Sequence, residues 1–333
     1  MKLMRSIKEA NVQGHRVIVW SDLDVPVEAG RVIDNTRLKS SLGTIEFLLS
    51  KNSRIILLGH AGRPKARDEA HSLKPIAAEM GKLLGKEIEL LNEIKPPSTE
   101  ISMLENIRFW SGEEERNEEF AQKVSSLGDI YVNDCFSTSH HAGSTMFFLP
   151  KILPSYAGLA LEKEVNELSR ILTKPERPLI AILAGAKLET KLPAINNMSK
   201  IADKVLVGGK LMFEYKEDNP KVVVAFDDVD GADIGPNSIQ KFEDEIKGAA
   251  TIVWNGTLGK YEDKRYTVGT EGIAKAVIAS GAYTIIGGGD TIAVLHELGL
   301  LGKINHVSMG GGAMLEFLAG KQLEGLVVLG YYD

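Results

Sequence analysis

The stretch Tyr283–Leu295, YTIIGGGDTIAVL, decides the reading of the fold. Four strand-prone residues, Tyr283–Ile286, run into Gly287, Gly288 and Gly289, then Asp290 and Thr291, and then a helical pattern. Glycines at a strand-to-helix turn let the backbone approach a phosphate, and the helix start presents free N–H groups and the positive end of its dipole. Asp290 adds a hard carboxylate of the kind that holds Mg²⁺. The same letters also describe a tight turn with Asp290 as N-cap. The choice depends on whether other strand ends carry matching chemistry.

They do. Arg16–Trp20 runs into SDLDVP, Arg54–Leu58 into GHAGRP, Asp129–Val132 into NDCFSTSHH, Leu179–Leu183 into AGAK, Val205–Val207 into GGK and Thr251–Trp254 into NGTLG. Short apolar runs alternating with helical stretches fit buried parallel strands in an α/β layer fold. In open parallel sheets, ligands collect beyond the carboxyl ends of the strands, where these unusual residues fall. Helices are expected over Leu38–Ser50, Leu73–Leu84, Glu113–Leu127, Lys191–Ile201, Ser238–Ile246, Thr270–Ala279 and Ala313–Leu318. Between the third and fourth motifs, Ala157–Thr173 has helical spacing with Pro154 before it and Pro175 and Pro178 after it, and reads as a helix joining two halves. Two Rossmann-like three-layer domains with parallel sheets are therefore expected.

A chain of 333 residues has room for about two such domains. A net charge of −6 argues against a generic nucleic-acid or membrane-surface binder. The single cysteine, Cys135, excludes an intrachain disulfide framework and suits a reducing cytosol. The N-terminal MKLMRSIKEANVQGHR has no continuous apolar segment, and no apolar run approaches the roughly 20 residues that span a bilayer. A soluble, cytoplasmic protein is expected.

The first half gathers cations at strand ends: Arg37, His60, Arg63, Arg108, His140 and His141. Arginine forks suit carboxylate and phosphate, so the set points to a small, strongly anionic substrate. Asp22 and Asp24 could accept from substrate hydroxyls, hold the arginines, or act as an acid–base pair, although a site for an already acidic substrate needs no deep proton abstraction. The histidines lack zinc-ligand spacing, and Cys135 fits a small buried thiol. The second half gathers phosphate-binding features. Lys187 and Lys191 lie four apart on one helical face after Gly185, and Asn255 and Gly256 end another strand with Glu262 able to reach ribose hydroxyls. Gly208 and Gly209 offer a flat surface for an adenine ring, and Gly310, Gly311 and Gly312 precede a second helix start. There is no GxxxxGK[ST], no GxGxxG and no protein-kinase motif set.

These strings, in this order, resemble phosphoglycerate kinase. DLDVP stands for the family's DFNVP, GHAGRP for SHLGRP, LENIRF for LENLRF, VNDCFSTSHHA for VNDAFGTAHRA and LAGAKLETK for LGGAKVSDK, while DIGP, WNG, GGGDT and HVSMGGGAMLEFLAG match almost as they stand. The resemblance covers nearly the whole chain. It implies a phosphoglycerate-binding domain over 1–156 with 316–333 packing back on it, a connecting hinge helix over 157–173 and a Mg-nucleotide domain over 174–315. Asp22, Arg37, His60, Arg63 and Arg108 would hold 3-phosphoglycerate, with Asp24, His140 and His141 beside them. Gly185, Lys187, Lys191, Gly208, Gly209, Asn255, Gly256, Glu262, Gly287, Gly288, Gly289, Asp290 and Thr291 would handle nucleotide, with Asp290 also the metal anchor. Arg37, Lys187 and the Gly310–Gly312 helix start would stabilise the phosphoryl group in transit, in a reversible in-line transfer from ATP after hinge closure. A monomer acting in glycolysis is implied.

The chain departs from the family pattern at His141 for Arg, Asp24 for Asn, Trp20 for Arg, Thr257 for Pro and Met309 for Thr, and it shortens 211–232. An unperturbed imidazole is charged only below about pH 6.5, so phosphoglycerate binding is expected to weaken above neutrality. The departures motivate an alternative, a nucleotide- or anion-binding relative with weak or no turnover. A nicotinamide-dependent oxidoreductase shares the layering but lacks its fingerprint.

Overall fold

A computed structural model gives the fold and describes residues 4–216 and 218–332. Residues 1–3 of the expected first domain, Glu217 within the shortened segment and Asp333 at the end of the returning segment lie outside the described residues. The chain divides into two compact units, Met1–Val165 with Gln322–Asp333, and Asn166–Lys321.

The first unit carries strands β1 (Arg16–Trp20), β2 (Arg54–Leu58), β3 (Glu89–Leu91), β4 (Ile101–Leu104), β5 (Ile130–Asn133) and β6 (Ser155–Ala157). They form one sheet in the order β3-β4-β2-β1-β5-β6, with every neighbouring pair parallel. The apolar runs are continuous because both faces are covered. Val17 and Val19 join one core with Ile55 and Leu57, whereas Ile18 and Trp20 join the opposite core with Ile56 and Leu58. Each such aliphatic side chain, fully buried, is worth roughly 1.5–3 kcal/mol, so both faces of these strands contribute to the core. The helices include α1 (Thr36–Ser50), α2 (Lys74–Leu84), α3 (Glu118–Ser125) and α4 (Ser144–Ile152). Helix α5 (Leu159–Thr173) then carries the chain across the boundary at Val165.

The second unit repeats the plan. Strands β7 (Leu179–Gly185), β8 (Lys204–Gly209), β9 (Val222–Val224), β10 (Thr251–Asn255), β11 (Tyr283–Gly287) and β12 (His306–Ser308) form a parallel sheet in the order β9-β8-β7-β10-β11-β12. Helices α6 (Leu188–Ile201), α7 (Pro236–Ile246), α8 (Val268–Ala279), α9 (Gly289–Glu297) and α10 (Gly312–Leu318) follow in turn. Strand order reverses between β1 and β5 in the first sheet and between β7 and β10 in the second, and it is at such switch points that open α/β sheets leave a crevice for ligand.

Several helix expectations are corrected: α1, α6 and α8 start at Thr36, Leu188 and Val268 rather than at Leu38, Lys191 and Thr270. The single helix over Glu113–Leu127 is instead Ser111–Glu114 and then α3, because Arg116 adopts a left-handed φ of 54° and Asn117 restarts the helix by accepting from the Phe120 amide at 2.9 Å. Helix α7 begins at Pro236 rather than Ser238, since proline loses nothing at a first turn whose N–H groups have no helical partner. Among the described residues, no helix is long and apolar enough to cross a membrane.

Candidate active site

Register brings the first set of residues together. Trp20 lies opposite Leu58 on one side and Asn133 on the other, so Asp22, His60 and Cys135 all follow at one edge of the sheet. Asp22 is 6% exposed and accepts from Arg37 Nη1 at 3.0 and 2.9 Å and from Ser137 Oγ at 2.8 Å. Burial pushes its carboxyl up, opposed by Arg37 and Ser137. Burial works against the Arg37 charge too, but Asp22 outweighs it and the guanidinium is pushed up. The two contacts of Arg37 Nη1 to the Asp22 carboxyl hold the pair together. Asp22 therefore positions Arg37 at the head of α1, and Ser137 ties the β5 loop across the switch point.

Asp24 accepts from the Gly62 amide at 2.8 Å and lies 3.8 Å from His60 Nε2, so it shapes the GHAGRP turn. His60 is buried and pushed down to about 4, first by burial and then by Arg108, so at neutral pH it is an uncharged imidazole. Arg108 donates to the Gly62 carbonyl at 2.7 Å and pairs with Glu114 at 2.6 Å. Trp20, His60, Arg63, Arg108, Arg116 and His141 are among the residues that line a cleft of about 460 Å³. His140 and His141 lie side by side with ring centroids 4.4 Å apart and ring planes tilted by 45°. Cys135 is buried and its thiol is pushed up to about 12 by burial, which leaves it a packing group.

The lining of that cleft includes a buried carboxyl that no motif in the sequence marks. Glu113 is 3% exposed and accepts from the Thr145 amide at 2.9 Å and from Thr145 Oγ1 at 3.0 Å. Trp20 Nε1 donates to the same Thr145 Oγ1 at 2.9 Å. Burial pushes Glu113 up to about 7.

In the second unit, Asn255 pairs in register with Leu183 and Gly287, and Gly209 with Gly185, so the glycine strand ends share one edge. Lys191 is 9% exposed, and its Nζ donates to the Asn255 side chain and, at 3.3 Å, to the Asn255 carbonyl. Burial lowers it to about 8, with Asp290 opposing. Gly256 has a φ of +103°, and a Cβ there would lie 1.9 Å from the Ala184 carbonyl oxygen, so no other residue fits. Its amide donates to the buried Thr291 Oγ1 at 2.8 Å, which joins β10 to the first turn of α9. Gly288 precedes α9 with a φ of 95°, and Gly208 packs on Leu258. The expectation of Lys187 and Lys191 on one helical face is corrected: Lys187 is exposed at the N-cap of α6 with an extended φ of −124°, outside the helix that buries Lys191. Glu262 is exposed in the loop after β10. Gly310 and Gly311 lead into α10, whose first residue is Gly312.

Asp290 is exposed in the first turn of α9 and accepts from Tyr261 Oη at 3.4 Å. Among the described residues there is no group of three or more His, Cys, Asp or Glu placed to hold a metal ion. A lone carboxylate beside an anion-binding turn fits Mg²⁺ held mainly by nucleotide phosphates and water, and does not fit an all-protein cage.

The model of the phosphoglycerate kinase family matches residues 7–223 and 214–321. The chain belongs to the phosphoglycerate kinase family. It is 37% identical to the phosphoglycerate kinase of Moorella thermoacetica, covering 97% of this chain and 98% of that protein. It is 35% identical to the phosphoglycerate kinase of Thermomicrobium roseum, covering 98% and 99%. The structure of phosphoglycerate kinase from Coxiella burnetii superposes with a TM-score of 0.86 at 30% identity over 98% of this chain and 99% of that one. The crystal structure of the Pyrococcus horikoshii enzyme gives 0.86 at 27%, with the same coverage. The Moorella alignment runs over 386 positions against 333 residues here, so a relative of the family carries segments this chain lacks.

Proposed function

We propose that the chain interconverts 3-phosphoglycerate and its acyl phosphate, 1,3-bisphosphoglycerate, at the expense of ATP and ADP, as its membership of the phosphoglycerate kinase family implies. The observation that carries this reading is the pair of switch-point sites, one rich in cations and the other rich in glycine and lysine. Arg37, held by Asp22, and the cleft cations Arg63 and Arg108 bind the anionic acceptor. His60 is neutral there and offers a hydrogen bond without charge. Asp24, His140 and His141 shape the rim of the same site.

Nucleotide is bound in the second unit. Gly185, Gly208, Gly209, Gly256 and Gly287–Gly289 let backbone approach phosphate or base, Lys191 and Asn255 form a preset donor group, and Thr291 fixes the turn. Glu262 reaches the ribose. Asp290 would hold Mg²⁺, which when bound neutralises charge on the phosphates. Phosphoryl transfer needs positioning and charge neutralisation rather than covalent help. Lys187, Arg37 and the Gly310–Gly312 amides supply that stabilisation for a group transferred in line after hinge closure. We place the enzyme in glycolysis, as a cytoplasmic monomer.

The test is a coupled assay with purified protein, MgATP and 3-phosphoglycerate. Turnover in the wild type that Lys187→Ala or Arg37→Ala abolishes supports the reading. Nucleotide binding with no turnover in the wild type would instead establish the binding-only alternative.

A further inference from the structure

We propose that Arg116 is a substrate-binding cation of the phosphoglycerate cleft and supplies the permanent positive charge that the chain lacks at His141. The proposal rests on the reading of this cleft as the phosphoglycerate site. Arg116 and His141 line the same cleft. Arg116 Nε donates to the carbonyl of Ala142, the residue next to His141, at 3.1 Å, and its guanidinium lies 5.1 Å above the Phe147 ring. Its guanidinium also pairs with Glu324, which is 39% exposed in the returning C-terminal segment. These two bonds occupy two of five N–H groups, and the guanidinium keeps its charge at every accessible pH, as an imidazole does not.

The backbone gives the independent observation. Arg116 sits at φ 54°, between Ser111–Glu114 and α3. Glycine or asparagine adopts this left-handed conformation with less cost, so a long cation is a residue that the turn itself does not ask for. The side chain reaches the loop bearing His141 through its bond to the Ala142 carbonyl. Local propensity is overridden, and the gain is a second anchored guanidinium in a cleft that already holds Arg63 and Arg108.

The experiment measures KM for 3-phosphoglycerate, KM for MgATP and kcat in the full-length wild type, Arg116→Gln, Arg116→Lys, Arg116→Gly and Glu324→Gln. Arg116→Gln is expected to raise KM for phosphoglycerate about three- to tenfold, the range for losing one half-exposed charge-assisted contact, with KM for MgATP unchanged. Arg116→Lys should recover part of that loss. Arg116→Gly relaxes the backbone, so it should fold at least as well and yet share the KM defect. Glu324→Gln should leave KM equal or lower, because it removes the competing carboxylate. An unchanged KM in Arg116→Gln overturns the proposal, and so does an equal rise in Glu324→Gln, which would make the pair a tether. A wild type without turnover defeats the functional reading alone. In that event, calorimetric binding of 3-phosphoglycerate to wild type and Arg116→Gln decides the role of Arg116 by the same fold-change.

Discussion

Replacing Glu113 by Gln should stabilise the first unit at alkaline pH. The carboxyl sits 3% exposed between Thr145 and the cleft, and burial raises it from 4.5 to about 7. Each pH unit between the folded and unfolded values is worth about 1.4 kcal/mol, so this gap amounts to roughly 3 kcal/mol. The sign follows from proton uptake. Between 4.5 and about 7 the folded state binds the proton and the unfolded state has released it. Stability is therefore fully present below 4.5 and is lost as pH rises through 7. As a neutral acid, Glu113 accepts from the Thr145 amide with one oxygen and can donate to Thr145 Oγ1 with the other, and a glutamine amide reproduces both.

The assay is urea unfolding from about pH 5 to about pH 8.5, read by tryptophan fluorescence. Trp20 and Trp110 report the first unit, and a Trp254→Phe background removes the signal of the second. Wild type should lose about 2–3 kcal/mol relative to Glu113→Gln across that range. If Glu113→Gln is the less stable protein at about pH 8.5, or if the difference does not change with pH, the reasoning is refuted.

Three further outcomes follow from the site geometry. Glu114→Gln should lower KM for phosphoglycerate up to about fivefold, because the 61%-exposed Glu114 pairs with Arg108 and competes with substrate for it; steady-state kinetics show this. MgATP affinity should fall as pH rises through about 8, where Lys191 loses its charge, and Lys191→Met should be weaker but flat; calorimetry across pH reads both. Gly256→Ala should cost about 3 kcal/mol or more, because its Cβ would strike the Ala184 carbonyl at 1.9 Å with φ at +103°. Thermal melts should show the loss, and nucleotide binding should fail with it.

The strand ends were legible because their chemistry is local. IIGGGD, AGAK and NGTLG each place glycine within a residue of the end of an apolar run, and the fold sets them on one edge. The short strands Glu89–Leu91 and Ser155–Ala157 were not singled out, because three residues give no periodicity and their pairing is supplied by a neighbour. The break at Arg116 was missed because arginine is no turn signal, although Asn117 followed by two glutamates is a helix start that the sequence displays. Glu113 lies in an acidic run that looks solvated, and only tertiary packing buries it. The motif marks Thr291 as a nucleotide ligand, but its bond to Gly256, 35 residues away, is contained in no local pattern.

Phosphoryl transfer between nucleotide and phosphoglycerate is tested most directly in its downhill direction, by phosphorus NMR of the purified protein with MgADP and 1,3-bisphosphoglycerate. Loss of the acyl-phosphate resonance matched by growth of ATP, only when protein and both substrates are present, is the predicted result. Acyl phosphate lost only to inorganic phosphate, with ADP unchanged, would contradict it.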